Sequence, residues 1–164
     1  MHRRDLTLAL AASYAGTLPA PVAAQSSAQP GQILTLWRAG DPGERLEIRG
    51  RVRDAGGELV PGAEVRVRQA DAGGEYTGAY EGSMLTDARG EYILRTVVPG
   101  NYGRPRHIHV FAQHPQAGHA YTEILFKGDP LLQGEQVEMA IALETVRLGG
   151  REHKVGTFDI VLSR

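Results

Sequence analysis

The stretch Leu46-Glu47-Ile48-Arg49-Gly50-Arg51-Val52 alternates apolar residues with charged or small ones. Side chains on a β-strand point alternately to opposite faces, so this period of two predicts a half-buried strand. The same pattern recurs at residues 63–67, 91–97, 107–111, 124–126 and 158–162, with glycine- and proline-containing turns between them. Residues 136–143 fit either one short helix or a further strand. Short strands separated by regular turns predict an all-β protein, folded as a single β-sandwich.

Length and composition exclude several classes of protein. The chain has 164 residues, which is enough for one domain, and a net charge of −1. It lacks the basic excess that phosphate backbones attract, so nucleic acid is not an expected partner. It contains no cysteine, which excludes disulfides, thiolate metal sites and a cysteine nucleophile. A bound metal would therefore need histidine, carboxylate or tyrosine ligands.

The beginning of the chain has the pattern of an export signal. A basic start with Arg3 and Arg4 precedes an apolar run and small residues up to Ala24, which predicts a signal peptide over residues 1–24. The paired arginines favour the twin-arginine route, and an ordinary Sec signal is the alternative. Residues 25–43 are predicted to be an irregular lead-in and residues 44–164 the β-sandwich domain, which would carry any active site. We expect a periplasmic or secreted bacterial protein with no membrane segment in its mature form.

Two histidines on one predicted strand are candidate metal ligands. In residues 107–111, His107 and His109 project from one face, while Ile108 and Val110 project from the other. Two imidazoles on one strand face can chelate an ion, although a polar strand face is the more frequent meaning of this pattern. Tyr102 lies five residues before His107, close enough to fold back over the same ion.

Other tyrosines and histidines are assigned by their surroundings. A glycine turn lifts Tyr76 out of the preceding strand, which makes it a further candidate ligand. Tyr80 and Tyr92 are predicted to lie in the core or in strands. His114, His119 and His153 are predicted to lie at the surface.

The order of these motifs resembles one family. Pro99-Gly100-Asn101-Tyr102 is followed by Arg104-Pro105-Arg106-His107-Ile108-His109 and later by Phe126-Lys127-Gly128-Asp129-Pro130. Gln69-Ala70-Asp71-Ala72-Gly73-Gly74-Glu75-Tyr76 and Thr86-Asp87-Ala88-Arg89-Gly90-Glu91-Tyr92 precede them. Together they resemble the intradiol ring-cleaving dioxygenases that act on catechol and protocatechuate, and especially their short exported relatives. The resemblance covers roughly residues 48–130.

The resemblance implies a β-sandwich of the intradiol dioxygenase type that holds a non-haem Fe³⁺ ion. Tyr76, Tyr102, His107 and His109 match the family's metal ligands, and Tyr102 matches the tyrosine displaced by substrate. Arg104 matches the active-site arginine and, with Tyr102, would take part in catalysis. The implied partners are O₂ and a catechol or hydroxyquinol, whose ring would be opened to a muconate-type diacid. Assembly into a homo-oligomer is compatible with this reading.

The chain departs from the family pattern near the implied site. Gly103 alone separates Tyr102 from Arg104, where the larger enzymes have a much longer loop. Glu123 and Leu125 stand where the family usually has Gln and Tyr, and Arg68 replaces a Trp. A carboxylate near the metal would weaken binding of acidic catechols, so these differences bear on substrate choice.

Two other functions fit parts of the sequence. The glycine-rich strand-and-turn phrases also occur in transthyretin-like and carboxypeptidase-regulatory-like sandwiches, which would make the protein a non-catalytic binding module. A cupin-like enzyme would use His107 and His109 with a divalent metal. That motif normally has Glu four or five residues after the second histidine, whereas this chain has Gln113 and His114.

Overall fold

A computed structural model of the protein describes residues 33–164; the predicted signal peptide and residues 25–32 of the predicted lead-in lie outside these residues. The described elements are, in chain order, β1 (Leu34–Thr35), β2 (Arg45–Arg53), β3 (Glu64–Gln69), β4 (Glu81–Leu85), β5 (Glu91–Val97), β6 (His107–His114), β7 (Gly118–Leu125), α1 (Gln136–Met139), β8 (Glu144–Leu148), β9 (Arg151–Thr157) and β10 (Ile160–Val161). Within this range no helix is long and apolar enough to cross a bilayer.

The strands form two sheets, as the alternating pattern predicts. The first has the order β1-β5-β2-β9-β8, with β10 also paired to β2. The second has the order β4-β3-β6-β7, and all its neighbours are antiparallel. The protein is therefore an all-β sandwich.

The core lies between the sheets and is built by the period of two. Leu46, Ile48 and Val52 of β2 are buried on one side, and Ile108 and Val110 of β6 are buried on the other. Because alternate residues of β6 enter the core, His107 and His109 are left for its opposite face. The sandwich thus fixes the direction in which the two imidazoles point.

The lead-in differs from the irregular segment that we predicted. Leu34 and Thr35 form β1, which pairs in parallel with β5, and Leu34 and Leu36 pack against the core. The guanidinium of Arg45 lies 3.8 Å from the centre of the Trp37 ring. Burial of the apolar side chains of Leu34 and Leu36 stabilises this packing, so the described part of the lead-in joins the sandwich.

The sequence pattern also missed or shortened several strands. It did not predict β4, β8 or β9, whose residues are largely exposed or half-buried and are mostly polar or glycine. β7 begins at Gly118 rather than at residue 124, and β10 covers only residues 160–161 of the predicted 158–162. The ambiguous segment 136–143 contains the four-residue helix α1. Tyr80 and Tyr92 are buried, as predicted.

Candidate metal centre

His107 and His109 project together from β6 beyond the core. Their ring centres are 4.6 Å apart, and their Nε2 atoms are separated by 3.2 Å. His107 is almost fully buried, whereas His109 is half-buried. The strand therefore presents two imidazole nitrogens to one point, as the sequence spacing predicts.

Hydrogen bonds at the outer nitrogens orient both rings. His107 Nδ1 lies 2.7 Å from the carbonyl oxygen of Pro105, which can only accept, so Nδ1 carries the proton. His109 Nδ1 lies 3.0 Å from Tyr121 Oη and 3.3 Å from Glu123 Oε1, two oxygens that favour a proton there as well. Burial, assisted by His107, lowers the pKa of His109, so its ring stays neutral near pH 7. Both Nε2 lone pairs then face each other, an arrangement that suits a cation.

Two tyrosine hydroxyls extend this cluster. Tyr102, in the loop between β5 and β6, places its Oη 3.0 Å from His107 Nε2. Tyr76, between β3 and β4, places its Oη 3.0 Å from that of Tyr102, with the rings edge to face. Because His107 Nε2 can only accept, Tyr102 donates to it and Tyr76 donates to Tyr102. Burial and the contact with Tyr102 raise the pKa of Tyr76 to about 12, so the Tyr76 side chain faces the cluster as a neutral phenol at pH 7 unless a cation is present.

Glycine permits the close approach of the two tyrosine loops. A Cβ on Gly100 would lie 2.3 Å from the backbone nitrogen of Gly74, and one on Gly74 would lie 2.7 Å from the carbonyl oxygen of Asn101. Gly74 also has a φ of +91°, which a side chain would disfavour. The Gly100 amide donates to the carbonyl oxygen of Asp71 at 2.7 Å. These contacts hold Tyr76 beside Tyr102.

Charged groups border the cluster on one side. Glu123 on β7 lies directly opposite His109, and its Oε1 is 3.9 Å from His107 Nε2. Arg104 is more than half exposed and places a guanidinium nitrogen 3.9 Å from the same carboxylate oxygen. The guanidinium of Arg68 lies 4.9 Å from the centre of the Tyr76 ring. A carboxylate and two guanidiniums therefore lie beside the four convergent donors.

Neighbouring donor atoms along this cluster have the spacing and the chemistry of adjacent ligands on a metal ion. Two ligands with metal bonds of about 2.0–2.1 Å at angles of roughly 90–110° lie about 2.9–3.4 Å apart. The successive contacts from Tyr76 Oη through Tyr102 Oη and His107 Nε2 to His109 Nε2 are 3.0, 3.0 and 3.2 Å. Phenolate oxygens and neutral imidazoles are ligands for a hard, highly charged cation. His107, His109 and Glu123 form a second, overlapping group of possible ligands.

Sequence reasoning missed Tyr121. Its ring is 67 % exposed and stacks beside His109, with the ring centres 6.2 Å apart. Tyr121 and Glu123 are two residues apart on β7, so they share the face on which the histidines of β6 lie. The Tyr-x-Glu spacing predicts that both side chains share one face of a strand. It does not predict that this face lies beside His109, because that depends on the pairing of β7 with β6.

Most of the chain matches one known protein family. The profile of a family described as Dioxygenase matches residues 19–163. The chain belongs to the intradiol dioxygenase family. Members of this family are iron-dependent and cleave the rings of catechol-type compounds, which agrees with the resemblance carried by the tyrosine and histidine motifs.

Two curated intradiol dioxygenases illustrate how distant the relationship is. The protocatechuate 3,4-dioxygenase beta chain of Burkholderia cepacia is 34% identical over 75% of this chain and 66% of its own length. A catechol 1,2-dioxygenase of Pseudomonas sp. (strain EST1001) is 30% identical over 54% of this chain and 38% of its own length. The chain thus spans between about two fifths and two thirds of these relatives.

Solved structures of intradiol dioxygenases share the sandwich. The dioxygenase domain of a dioxygenase carbohydrate-binding protein fusion from Streptomyces sp. SirexAA-E has a TM-score of 0.63 and 32% identity, covering 84% of this chain and 94% of that one. Catechol 1,2-dioxygenase from Acinetobacter sp. ADP1 has a TM-score of 0.73, covering 90% of this chain and 62% of that one. At 22% identity, the second likeness establishes the fold alone.

Proposed function

We propose that the protein is an Fe(III)-dependent intradiol dioxygenase that cleaves a catechol-type ring between its two hydroxylated carbons. The observation that carries this proposal is the convergence of Tyr76, Tyr102, His107 and His109 through contacts of 3.0–3.2 Å between their donor atoms. Both atoms of O₂ enter the product, so a catechol and O₂ together account for every atom of the muconate-type diacid. Membership of the intradiol family supports the same reaction class.

The four convergent residues would hold the iron. Ferric ion would supply the Lewis acidity that favours the ionised catechol and prepares its ring for reaction with O₂. Tyr76, with a metal-free pKa of about 12, would bind as phenolate only once a cation displaces its proton. The Pro105 carbonyl holds the proton of His107 on Nδ1, which keeps Nε2 available as a ligand.

Tyr102 is suited to exchange with substrate. Its side chain belongs to a surface loop and is 37 % exposed, whereas His107 is buried. Its oxygen lies 3.0 Å from both Tyr76 Oη and His107 Nε2, so as a phenolate holding the iron it would be placed to take the proton of an arriving catechol and become a neutral phenol. Arg104 would stabilise the negative charge that develops on the ring as it reacts.

The charges beside the site favour an uncharged catechol or hydroxyquinol. The Glu123 carboxylate faces Arg104 at 3.9 Å and would repel a second carboxylate brought in by an acidic catechol. The short connection through Gly103 keeps this side open. We also propose that the protein acts outside the cytoplasm, because residues 1–24 have the pattern of a signal peptide.

Oxygen consumption tests the proposed reaction. We expect one O₂ consumed per catechol, with the ultraviolet absorbance of a muconate-type diacid growing in step. His109→Ala should abolish both signals, because it removes one Nε2 donor. Tyr80→Phe is the matched control: Tyr80 is buried and donates to Asp41 outside the cluster. Iron-loaded protein that consumes no O₂ with any catechol would contradict the proposal.

A divalent-metal enzyme is the second candidate. His107, His109 and Glu123 bring ligand atoms within 4.8 Å of one another, a two-histidine, one-carboxylate set that divalent iron accepts in other proteins. This candidate predicts that Glu123→Ala abolishes metal binding while Tyr76→Phe leaves it intact. The ferric proposal predicts that Tyr76→Phe weakens metal binding more than Glu123→Ala does.

A further inference from the structure

An open groove of about 780 Å³ begins beside His109, one of the four donor residues, and runs across the outer face of the four-stranded sheet. His109 and Tyr121 line its inner end, and Glu81 and Ser83 of β4 line its outer end. Its size falls within the range of about 300–1,000 Å³ that is typical of sites for drug-sized molecules. A lone catechol ring at the metal would therefore leave most of the groove empty.

The strand register gives the dimensions of this groove across the strands and along β6. His109 pairs with Arg68, and Arg68 pairs with Glu81, so the groove crosses two strand spacings, or about 10 Å. Phe111 lies two residues beyond His109 on the same face, roughly 7 Å along β6. The groove thus has room for a group attached to the reacting ring.

The lining suits an uncharged aromatic group. Phe111 and Tyr121 are directly opposite each other on β6 and β7 and form an aromatic wall that continues from His109. Leu34 adds an apolar side chain. The basic residues of the groove are paired with acidic ones: Arg66 contacts Glu64 at 2.7 Å, and Arg68 contacts Glu81 at 3.7 Å.

We propose that this groove binds the substituent of an aryl-substituted catechol, an uncharged second ring joined to the ring that is cleaved. The inference rests on the proposed function for the position of the reacting ring. The enzyme would then act on one end of a larger aromatic molecule, because the groove is open to solvent along its length. Phe111 and Tyr121 would contact the second ring by stacking or edge contacts.

Turnover of catechol and of 4-phenylcatechol tests the proposal. Ser83→Trp should fill the outer groove and lower kcat/KM for 4-phenylcatechol by about tenfold, the loss of one to two aromatic contacts. Phe111→Ala should lower it severalfold. Both variants should leave kcat/KM for catechol within about twofold, because neither side chain supplies a donor atom to the cluster or hydrogen-bonds one of its four residues. Leu148→Trp, at an exposed position of the other sheet, is the control.

Binding to metal-free protein separates this proposal from the proposed reaction. 4-Phenylphenol lacks the adjacent hydroxyls, and we expect it to shift the amide resonances of Phe111 and Ser83 in NMR spectra. Those shifts, without turnover of any catechol, would support the groove and contradict the dioxygenase. Equal losses for both substrates in Ser83→Trp, shifts confined to other residues, or a groove closed by a second copy on raising the protein concentration would overturn the proposal.

Discussion

The imidazole of His107 donates its Nδ1 proton to the carbonyl oxygen of Pro105 across 2.7 Å. Pro105 lies two residues earlier in the chain, so the motif that supplies this candidate ligand also fixes its tautomer. The lone pair of Nε2 is consequently directed at Tyr102 and His109. This local bond makes the buried His107 a fixed point around which the other three donors gather.

The contact between the tyrosine loops gives a first prediction. Gly100→Ala would place a methyl group 2.3 Å from the Gly74 nitrogen and 2.5 Å from the Ala72 carbonyl oxygen, both rigid backbone atoms. The loops must separate, so we expect at least a tenfold loss of iron affinity and about 1–3 kcal/mol of stability. Iron retention after dialysis and thermal unfolding measure the two effects.

Gly56→Ala is the matched control, because a Cβ there meets only the Asp54 side chain, at 3.3 Å, in a turn away from the site. Iron retention by Gly100→Ala equal to that of the control would show that the loop contact does not position the ligands.

Gln69, the last residue of β3 before the loop that carries Tyr76, forms a set of buried hydrogen bonds. Its buried amide donates to the carbonyl oxygens of Ala70 and Val97 and accepts from the Thr96 hydroxyl. Gln69→Leu would leave these buried groups unpaired, and we expect a loss of about 1–3 kcal/mol. Urea unfolding measures it. A double variant with Thr96→Val should recover part of the loss, because one unpaired group is then removed; no recovery would contradict this account.

The pair formed by Glu123 and Arg104 predicts substrate preference. Glu123→Gln removes the carboxylate 3.9 Å from Arg104, which frees the guanidinium for an anionic substrate. We expect kcat/KM for protocatechuate to rise relative to catechol by roughly fivefold, or about 1 kcal/mol for a partly screened charge. Glu58→Gln, in an exposed turn, controls for the change in net charge. An unchanged ratio of kcat/KM for protocatechuate to kcat/KM for catechol would show that Glu123 does not set substrate preference.

Metal uptake is predicted to release protons. Burial and the contact with Tyr102 hold the pKa of Tyr76 at about 12 in metal-free protein, so its phenol is protonated throughout the neutral range. A raised pKa means that iron must displace this proton, and iron affinity should therefore increase as the pH rises from 5 to 8. A pH indicator in weak buffer measures the release, and Tyr76→Phe should release about one proton fewer. Equal release would exclude Tyr76 as a ligand.

Local sequence patterns predicted the parts of the site that depend on one segment. The shared face of His107 and His109 follows from the period of two within β6, and the core positions of Ile108 and Val110 follow from the same rule. The contact of Tyr121 with His109 could not be read in this way, because it depends on how β7 pairs with β6. The pairing of Leu34 with Leu94 in β5 likewise joins residues far apart in the chain.

Visible absorption of the iron-loaded protein tests the central claim that Tyr76, Tyr102, His107 and His109 hold one ferric ion. Ferric ion bound by phenolates absorbs visible light through ligand-to-metal charge transfer, so the protein should be wine-red. Tyr76→Phe and Tyr102→Phe should each shift and weaken the band, while Tyr80→Phe should leave it unchanged. Iron-containing protein that is colourless, or a band that survives both substitutions at the cluster, would contradict the claim.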